Sequence, residues 1–409
     1  LHLSIRRQRQ MCIRDSYYPY QTLYGLGYKN GSEAGAYFTV IANPSLKWET
    51  QISTDIALEF GLFDRLTGTI EYFKKDSKDL LFDVSQPASV GVTSIIQNIG
   101  KVTNSGVEIE LDYNAFKNKD WSVSVGANAT FVKNKIKNLP ATMKENGYIS
   151  GSKKWLEGKS IYEFWLRQWH GVDPQTGDGL YVADVSKYNQ GNIGTGDGNI
   201  TQSQFDEYKK TVVTIDGKEL TNSYTYAKYD FSGSSIPDVY GGFNVRVSYK
   251  NFDLAAVFSY QLGGQILDTN YATMMSMTEF GYAQSPDLLK AWKQAGDITE
   301  VPRIDNSAAH TTNIGQSYST RWLTSSDYLN LRSVTIGYQL PKTWLSKVML
   351  KSARLNLTAE NLFMLKARQG LNPMANYSGV TYNEYMPSRN ITLGLNAVSY
   401  THLTLPTNR

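Results

Sequence analysis

Asn98-Ile-Gly-Lys-Val-Thr-Asn-Ser-Gly-Val-Glu108 runs straight into Ile109-Glu-Leu-Asp-Tyr-Asn-Ala-Phe116, and the second half of this stretch decides the fold. Val107, Ile109, Leu111 and Tyr113 alternate with Glu108, Glu110, Asp112 and Asn114. Side chains alternate across a strand, so a period of two with this contrast gives one greasy face and one carboxylate-rich face. One face meets an apolar phase and the other meets water. In a membrane barrel that apolar phase is lipid.

The same alternation recurs along the chain. It marks Thr50 to Phe60, Leu66 to Lys74, Gly106 to Phe116, Trp121 to Phe131, Tyr240 to Lys250 and Phe252 to Tyr260. It returns at Leu329 to Leu340, Ala353 to Asn361 and Asn390 to Val398. In the first of these Ile52, Ile56, Leu58 and Phe60 share a face, opposite Gln51, Ser53, Asp55 and Glu59. A phase slip at Arg332-Ser333, from Leu329 and Leu331 to Val334, Ile336 and Tyr338, predicts a β-bulge.

The connections are sorted by length. Gly61 to Arg65, Lys117 to Asp120, Lys250-Asn251 and Pro341 to Ser352 are short or moderate, while long segments rich in Gly, Asn, Ser and Tyr lie between them. Short turns on one side and long loops on the other are the asymmetry of outer-membrane barrels. If Thr50 and Tyr240 both start on the long-loop side, an even number of strands lies between Phe131 and Tyr240. Ile161 to Gly171 and Gly179 to Val185, joined by a turn at Asp173-Pro-Gln-Thr-Gly177, are assigned as that pair. The expected architecture is therefore all-β, an antiparallel transmembrane barrel of about eleven strands. An open set of that kind leaves edges that lipid does not tolerate, so an incomplete barrel is expected.

Composition agrees with this class. The 409 residues are 41% hydrophobic, with 28 Tyr against 8 Trp, and mean hydropathy is −0.39. No run approaches the roughly 18 apolar residues of a membrane helix, which leaves barrel strands as the means of spanning. Leu1 to Ser16 and Ser399 to Arg409 lack periodicity and resemble translated sequencing-adapter read-through. We expect residues 1–16 and 399–409 to be non-native and 17–398 to be barrel with long extracellular loops. Setting aside four Arg and one Asp at the front and Arg409 at the back leaves 36 basic and 36 acidic residues. The formal +4 vanishes, and with it any nucleic-acid footprint. Cys12, the only cysteine, lies in the leading segment.

Several stretches resemble the SusC/RagA family of TonB-dependent outer-membrane transporters. Asn43-Pro-Ser-Leu-Lys-Trp-Glu49 is similar to that family's approach to a barrel strand, and Asn98 to Glu108 to its Asn-x-Gly-x-Val-x-Asn-x-Gly-x-Glu signature. Further matches are Gly171-Val-Asp-Pro-Gln-Thr-Gly-Asp178, Tyr240-Gly-Gly-Phe-Asn244, Ala291-Trp-Lys-Gln-Ala-Gly-Asp297 and Pro302-Arg303. Then come Ser326-Asp-Tyr-Leu-Asn-Leu-Arg332, Gly337-Tyr338, Pro341, Glu360-Asn-Leu-Phe363 and Gly370-Leu-Asn-Pro373, in the family's order. The resemblance implies a barrel of about 22 strands, of which this would be the C-terminal half. It also implies a plug and a TonB-contact segment upstream. The expected partners are the TonB complex, a SusD-like surface lipoprotein, outer-membrane lipid and an oligosaccharide or peptide cargo.

Catalytic material is scarce. Outside the ends only His170 and His310 remain, with no Cys, so metal and cofactor sites are not expected and no residue is assigned to catalysis or ligand binding. His170 reads as an interfacial or lumen side chain. Gly194-Thr-Gly-Asp-Gly198 lacks the Gly-Lys-Ser/Thr ending of a phosphate loop and reads as a loop. Asp173 to Asp178 fails the calcium-loop spacing and reads as a turn. The row Glu108, Glu110, Asp112 reads as wet lumen wall. Trp121, Tyr249, Phe252 and Tyr338 fall at strand ends, where girdles sit. Tyr188, Tyr224, Tyr226 and Tyr229 could stack on sugars or pack on themselves or a lid.

The functional expectation is TonB-dependent nutrient uptake across the outer membrane, of glycan fragments or peptides, without enzymatic activity. The loops between Lys74 and Gly106, Val185 and Tyr240, and Tyr260 and Leu329 would meet ligand or lid. The alternative is a soluble extracellular all-β carbohydrate-binding module or glycosidase fragment, which needs two carboxylates across a cleft.

Overall fold

All nine alternating segments stand side by side in one antiparallel sheet. The computed structural model describes residues 2–12, 21–85, 89, 92, 94–194, 196, 198–276, 281, 283–305, 307, 310, 313–315, 318–348 and 350–399. The wall strands, numbered along the chain, are β1 (His2–Cys12), β2 (Glu49–Leu62), β3 (Leu66–Ser85), β4 (Ser94–Lys117) and β5 (Trp121–Asn138). They continue as β6 (Val239–Tyr249), β7 (Phe252–Leu262), β8 (Tyr328–Gln339), β9 (Leu350–Lys366) and β10 (Asn390–Ser399). Each pairs with its neighbours in chain order.

Among the described residues the sheet thus has ten strands, not eleven, and Ile161 to Gly171 and Gly179 to Val185 are not among them. β5 pairs directly with β6, Trp121 opposite Tyr249. Parity demanded an even number of strands between them, and the number is zero. The tenth strand is β1, from the leading segment assigned as non-native; its backbone pairs along β2 from His2–Glu59 to Cys12–Glu49. Without β1, the edge of β2 would present unpaired donors and acceptors, a template for any extended chain. Residues 13–16 and 400–409 of the two end segments lie outside the described residues.

Register aligns the apolar residues into rows that cross strands. Ile56, Tyr72, Val107 and Phe131 form one row. Leu254, Ile336, Leu357 and Leu393 form another. Toward the short turns lies an aromatic row, Trp121, Tyr249, Phe252 and Tyr338. Trp121 and Tyr249 meet at 4.3 Å between ring centroids, and Phe252 and Tyr338 at 4.4 Å. Beyond Tyr72 and Phe131 the same face turns polar with Lys74, Ser105 and Lys133. From Val107 to Phe116 the belt is roughly 23 Å high at the strand rise and tilt usual for barrels, which matches an outer-membrane apolar band.

The bulge lies where the phase slip placed it. Val257 pairs with Ser333 and Phe258 with Leu331, so Arg332 is an extra residue relative to β7. On β9 two residues, Asn361 and Leu362, lie opposite Arg332, and Asn361 takes φ +51°. The irregularity keeps Leu329 and Leu331 on the same face as Val334, Ile336 and Tyr338. Turns at the other end are tight: Phe63 and Asp64 link β2 to β3 at φ +56° and +51°, and Lys250 turns β6 into β7 at φ +50°.

Long connections leave the opposite end and fold into a crown. Residues 139–238 form two four-stranded sheets and a helix, Gln202–Thr211, started by a Thr201/Gln204 capping box. Residues 263–327 add a strand pair, Gln265–Leu267 with Leu323–Ser325, and residues 367–389 close over them. One core draws on all three: Phe164 and Leu166, then Leu267, Met275 and Trp322, then Val380. The hydrophobic clusters lie in the crown or at the strand tops, whereas much of the wall's apolar face is open, Leu393 being 75% exposed.

Candidate functional site

Two surfaces carry most of the polar and aromatic groups: the polar face of the wall and the crown above it. On β2 to β4 that polar face is acidic. Glu71 lies opposite Glu108, Thr69 opposite Glu110 and Thr67 opposite Asp112. Glu59, Glu110 and Asp112 line a cavity of about 460 Å³ with Thr67 and Thr69. Among the described residues none of these carboxylates has a salt-bridge partner. On β7 to β10 the polar face is nearly neutral. Thr335, Thr358 and Thr392 form a row, Thr335 and Thr358 sharing a hydroxyl hydrogen bond of 3.1 Å, and Asp253 is ion-paired to Arg354.

Asn98 shows how sequence places the wall edge. Its Nδ2 donates to the carbonyls of Lys47 and Asp79, each at 2.7 Å, and its Oδ1 accepts from Lys47 N at 2.7 Å. Asn43 Nδ2 donates to Ile96 O at 2.8 Å. The stretches Asn43 to Glu49 and Asn98 to Glu108 therefore dock on each other. Gly106 is required by close approach: a Cβ there would sit 2.1 Å from Phe131 O and 2.6 Å from the Phe73 ring.

The crown is stitched by two other motifs. Trp292 Nε1 donates to Pro174 O at 2.9 Å, Arg303 N to Gly177 O at 2.9 Å, and the Arg303 guanidinium pairs with Asp178 at 3.1 Å. Gly177 has φ +73°, and a Cβ there would lie 2.5 Å from the Trp292 ring. Asp173 accepts from Gln175 N and Thr176 Oγ1, both at 2.9 Å. Asp173 to Asp178 is a turn whose carboxylates are used in folding. Buried His310 belongs to the same knot, with Nε2 2.8 Å from Arg303 O. His170 is exposed on the crown strand Trp169–Val172, a correction to its expected place at a wall-strand end. In Gly194 to Gly198, Thr195 and Asp197 lie outside the described residues.

The four loop tyrosines divide. Tyr188 and Tyr226 are buried with Phe205 and Tyr208, Tyr188 stacking on Tyr208 at 5.1 Å. Self-packing accounts for them, and burial, followed by the Glu219 carboxylate, pushes the Tyr208 hydroxyl up to about 12. Tyr224 and Tyr229 instead flank Arg167, whose Cζ lies 4.9 and 4.7 Å from their centroids. The strand Glu163–Arg167 alternates: Phe164 and Leu166 enter the core, while Trp165 and Arg167 share the outer side with Tyr229 and Phe231. Lys154 stands 4.0 Å over Trp165 and Lys159 4.7 Å over Phe231. This face of rings and cations was not anticipated from sequence, because its strand was assigned to the wall.

A buried lysine and a half-buried arginine mark how tightly the crown is packed. Lys153 Nζ lies 3.2 Å from the Phe164 centroid and donates to Tyr162 O at 2.8 Å. Burial drops its amine to about 7 against the opposing pull of Glu163. Arg321, over Trp169 and Trp322 at 4.7 and 4.3 Å, is lowered to about 10 by burial.

A family model described as TonB dependent receptor-like, beta-barrel matches residues 15–158. TonB-dependent receptor P3 of Formosa agariphila is 29% identical over 381 residues, covering 88% of this chain and 35% of the relative. TonB-dependent receptor SusC of Bacteroides thetaiotaomicron is 24% identical over 368 residues, covering 86% and 32%. The chain spans about a third of the length of these curated relatives. Among solved structures, that of the RagAB peptide transporter superposes with a TM-score of 0.73 at 24% identity, over 96% of this chain and 40% of that one. These relatives are receptors and transporters rather than enzymes, and the wall sets aside the soluble-module alternative. Lipid-facing rows outside, a polar face within, long loops at one end and these likenesses make the chain part of an outer-membrane β-barrel that is similar to TonB-dependent receptors of the SusC/RagA type.

Proposed function

We propose that the parent protein of this chain actively imports, across the outer membrane, a nutrient fragment too large for porins, either a glycan fragment or a peptide. The carrying observation is the wall of two-faced strands topped by a crown with its own core. The wall supplies the lipid-sealed passage, and the crown supplies a rigid outer surface for cargo and for a SusD-like lipoprotein lid. Energy would come through TonB, contacted by another part of the parent chain. No bond is made or broken, so no residue is catalytic. Of the loops first expected to meet cargo, the reading favours Val185 to Tyr240 and Tyr260 to Leu329, which lie in the crown, and adds residues 139–184, which fold with them.

The test is growth of a deletion strain on a panel of glycans and peptides, with the parent tracked in outer-membrane fractions. Loss of growth on one polymer class, restored by the gene, supports the proposal. Unchanged growth on every source, or recovery of the parent as a soluble secreted protein, overturns it. We further infer that residues 1–16 and 399–409 are not native and that 17–398 is one stretch of a larger barrel. Resequencing the locus should replace both ends and extend the strand pattern.

A further inference from the structure

Above its apolar belt, the lipid-facing side of β3 to β5 turns cationic. On β5 the alternation continues past Phe131: Lys133, Lys135 and Lys137 are exposed, while Asn134 and Ile136 between them are buried. Asn134 Nδ2 donates to Asn104 Oδ1 at 2.7 Å, Asn134 Oδ1 accepts from Ser160 Oγ at 3.0 Å, and Ile136 joins Leu139 and Met143 in a core. The even positions are thus taken up by packing under the crown, which leaves the odd ones, all lysine, on the side of Phe131. Register carries that side across two more strands. Lys133 lies opposite Ser105 and Ser105 opposite Lys74, while Lys135 lies opposite Thr103 and Thr103 opposite Asp76. Asp76 is the carboxylate among them: it pairs with Lys74 at 3.4 Å and accepts from Thr103 Oγ1 at 2.6 Å. Among the described residues Lys133, Lys135 and Lys137 have no salt-bridge partner.

We propose that this patch binds the phosphate groups of a lipid in the outer leaflet of the membrane. The patch lies at the long-loop end of the wall, which is the extracellular end, and its depth fits. Lys133 and Lys135 stand two and four residues beyond Phe131, roughly 5 and 10 Å up the membrane normal at the usual strand rise and tilt. A headgroup layer extends about 5–8 Å beyond the hydrocarbon, and flexible lysine stems bring both ammonium groups into it. Lys74 and Lys133 are two strand spacings apart, about 10 Å. Their side chains can converge on one phosphate from both sides, with the Ser105 hydroxyl between them as a further donor. The acyl chains of the same lipid would lie on Tyr72, Val107 and Phe131, the row directly below. The patch is local. On β6 to β9 the same side carries Phe243, Tyr260, Leu329 and Leu365 up to the crown, lining a cavity of about 610 Å³. The proposal rests on the wall being set in the outer membrane and is independent of the uptake reading, so the growth panel does not bear on it.

The experiment is native mass spectrometry of the purified full-length transporter in detergent, offered lipid A, enzymatically dephosphorylated lipid A or phosphatidylcholine. We expect lipid A alone to stay bound, and excess inorganic phosphate to leave it in place. The double variant Lys133→Gln/Lys135→Gln should weaken retention roughly twenty-fold, about five-fold per lysine. Lys209→Gln/Lys210→Gln, on the crown helix Gln202–Thr211, should leave it unchanged. All four lysines are exposed, so heat-modifiable gel mobility should stay that of the parent. Should the first double variant lose it, Lys135→Gln alone carries the test at about five-fold. Equal retention of the dephosphorylated lipid, no retention of lipid A, displacement by inorganic phosphate, or retention unmoved by the β5 substitutions overturns the proposal. So does an equal loss from Lys209→Gln/Lys210→Gln.

Discussion

The wall and the crown are built from one chain by opposite rules. In the wall an external phase does the work of a core: rows such as Leu254, Ile336, Leu357 and Leu393 face lipid and touch little protein. In the crown, Phe164, Leu166, Leu267 and Trp322 are at most 2% exposed, and they come from excursions that are distant in sequence. A wall residue is therefore constrained by which phase it faces. A crown residue is constrained by the shape of its neighbours.

The sharpest break should come from the crown core. Trp322→Ala removes the largest fully buried side chain and should cost about 3–5 kcal/mol. Hydrogen exchange should show lost protection across Glu163–Arg167 and Leu323–Ser325, with the wall strands still protected. Loss of protection in the wall as well would mean that the two regions unfold together. A charge on the lipid face comes next. Leu111→Arg should destabilise by about 2–4 kcal/mol in a lipid-refolding titration, whereas Glu110→Arg, one residue away on the lumen face, should cost well under about 1 kcal/mol. Equal costs would erase the two-phase reading of this strand.

A pH titration separates the regions more gently. Lys153 is neutral in the folded crown above about pH 7 but charged in an unfolded one up to its ordinary 10.5. The unfolded crown binds more protons in that window, so crown stability should rise from about pH 7 to 10.5. Lys153→Met should flatten the slope of crown exchange protection with pH and leave the wall unchanged. The smallest effect is expected at a helix start. Thr201 Oγ1 accepts from Gln204 N at 3.2 Å, and Gln204 Oε1 accepts from Thr201 N at 2.8 Å. Thr201→Ala should cost about 1 kcal/mol, read as faster exchange in Gln202–Thr211.

The same contrast explains what was legible. Lipid and water impose a period of two, so the wall segments could be read residue by residue, and the slip at Arg332 located the bulge. Strand lengths were underestimated where both faces are wet: β3 continues through Lys74, Lys75, Asp76 and Ser77 to Ser85, and alternation has no contrast to report there. The crown was opaque because its core pairs Phe164 with Leu267 and Val380, a pattern with no local period. Glu163–Arg167 does alternate, and that local signal, without its partners, looked like wall. Trp165 and Arg167 were lost with it, whereas Glu108, Glu110 and Asp112 share one face with Glu71, Thr69 and Thr67, as their period implied.

The excursion from 139 to 238 also changes how the wall can assemble. β5 and β6 are adjacent strands, yet a hundred residues separate Asn138 from Val239. As a flexible loop, that length would add about 3 kcal/mol of closure entropy over a four-residue hairpin. Folded on its own hydrophobic core, the excursion holds its two ends together and behaves as an oversized turn. The crown would then be a kinetic device as well as a surface, since each wall pairing beneath it closes sooner once the loop above has collapsed.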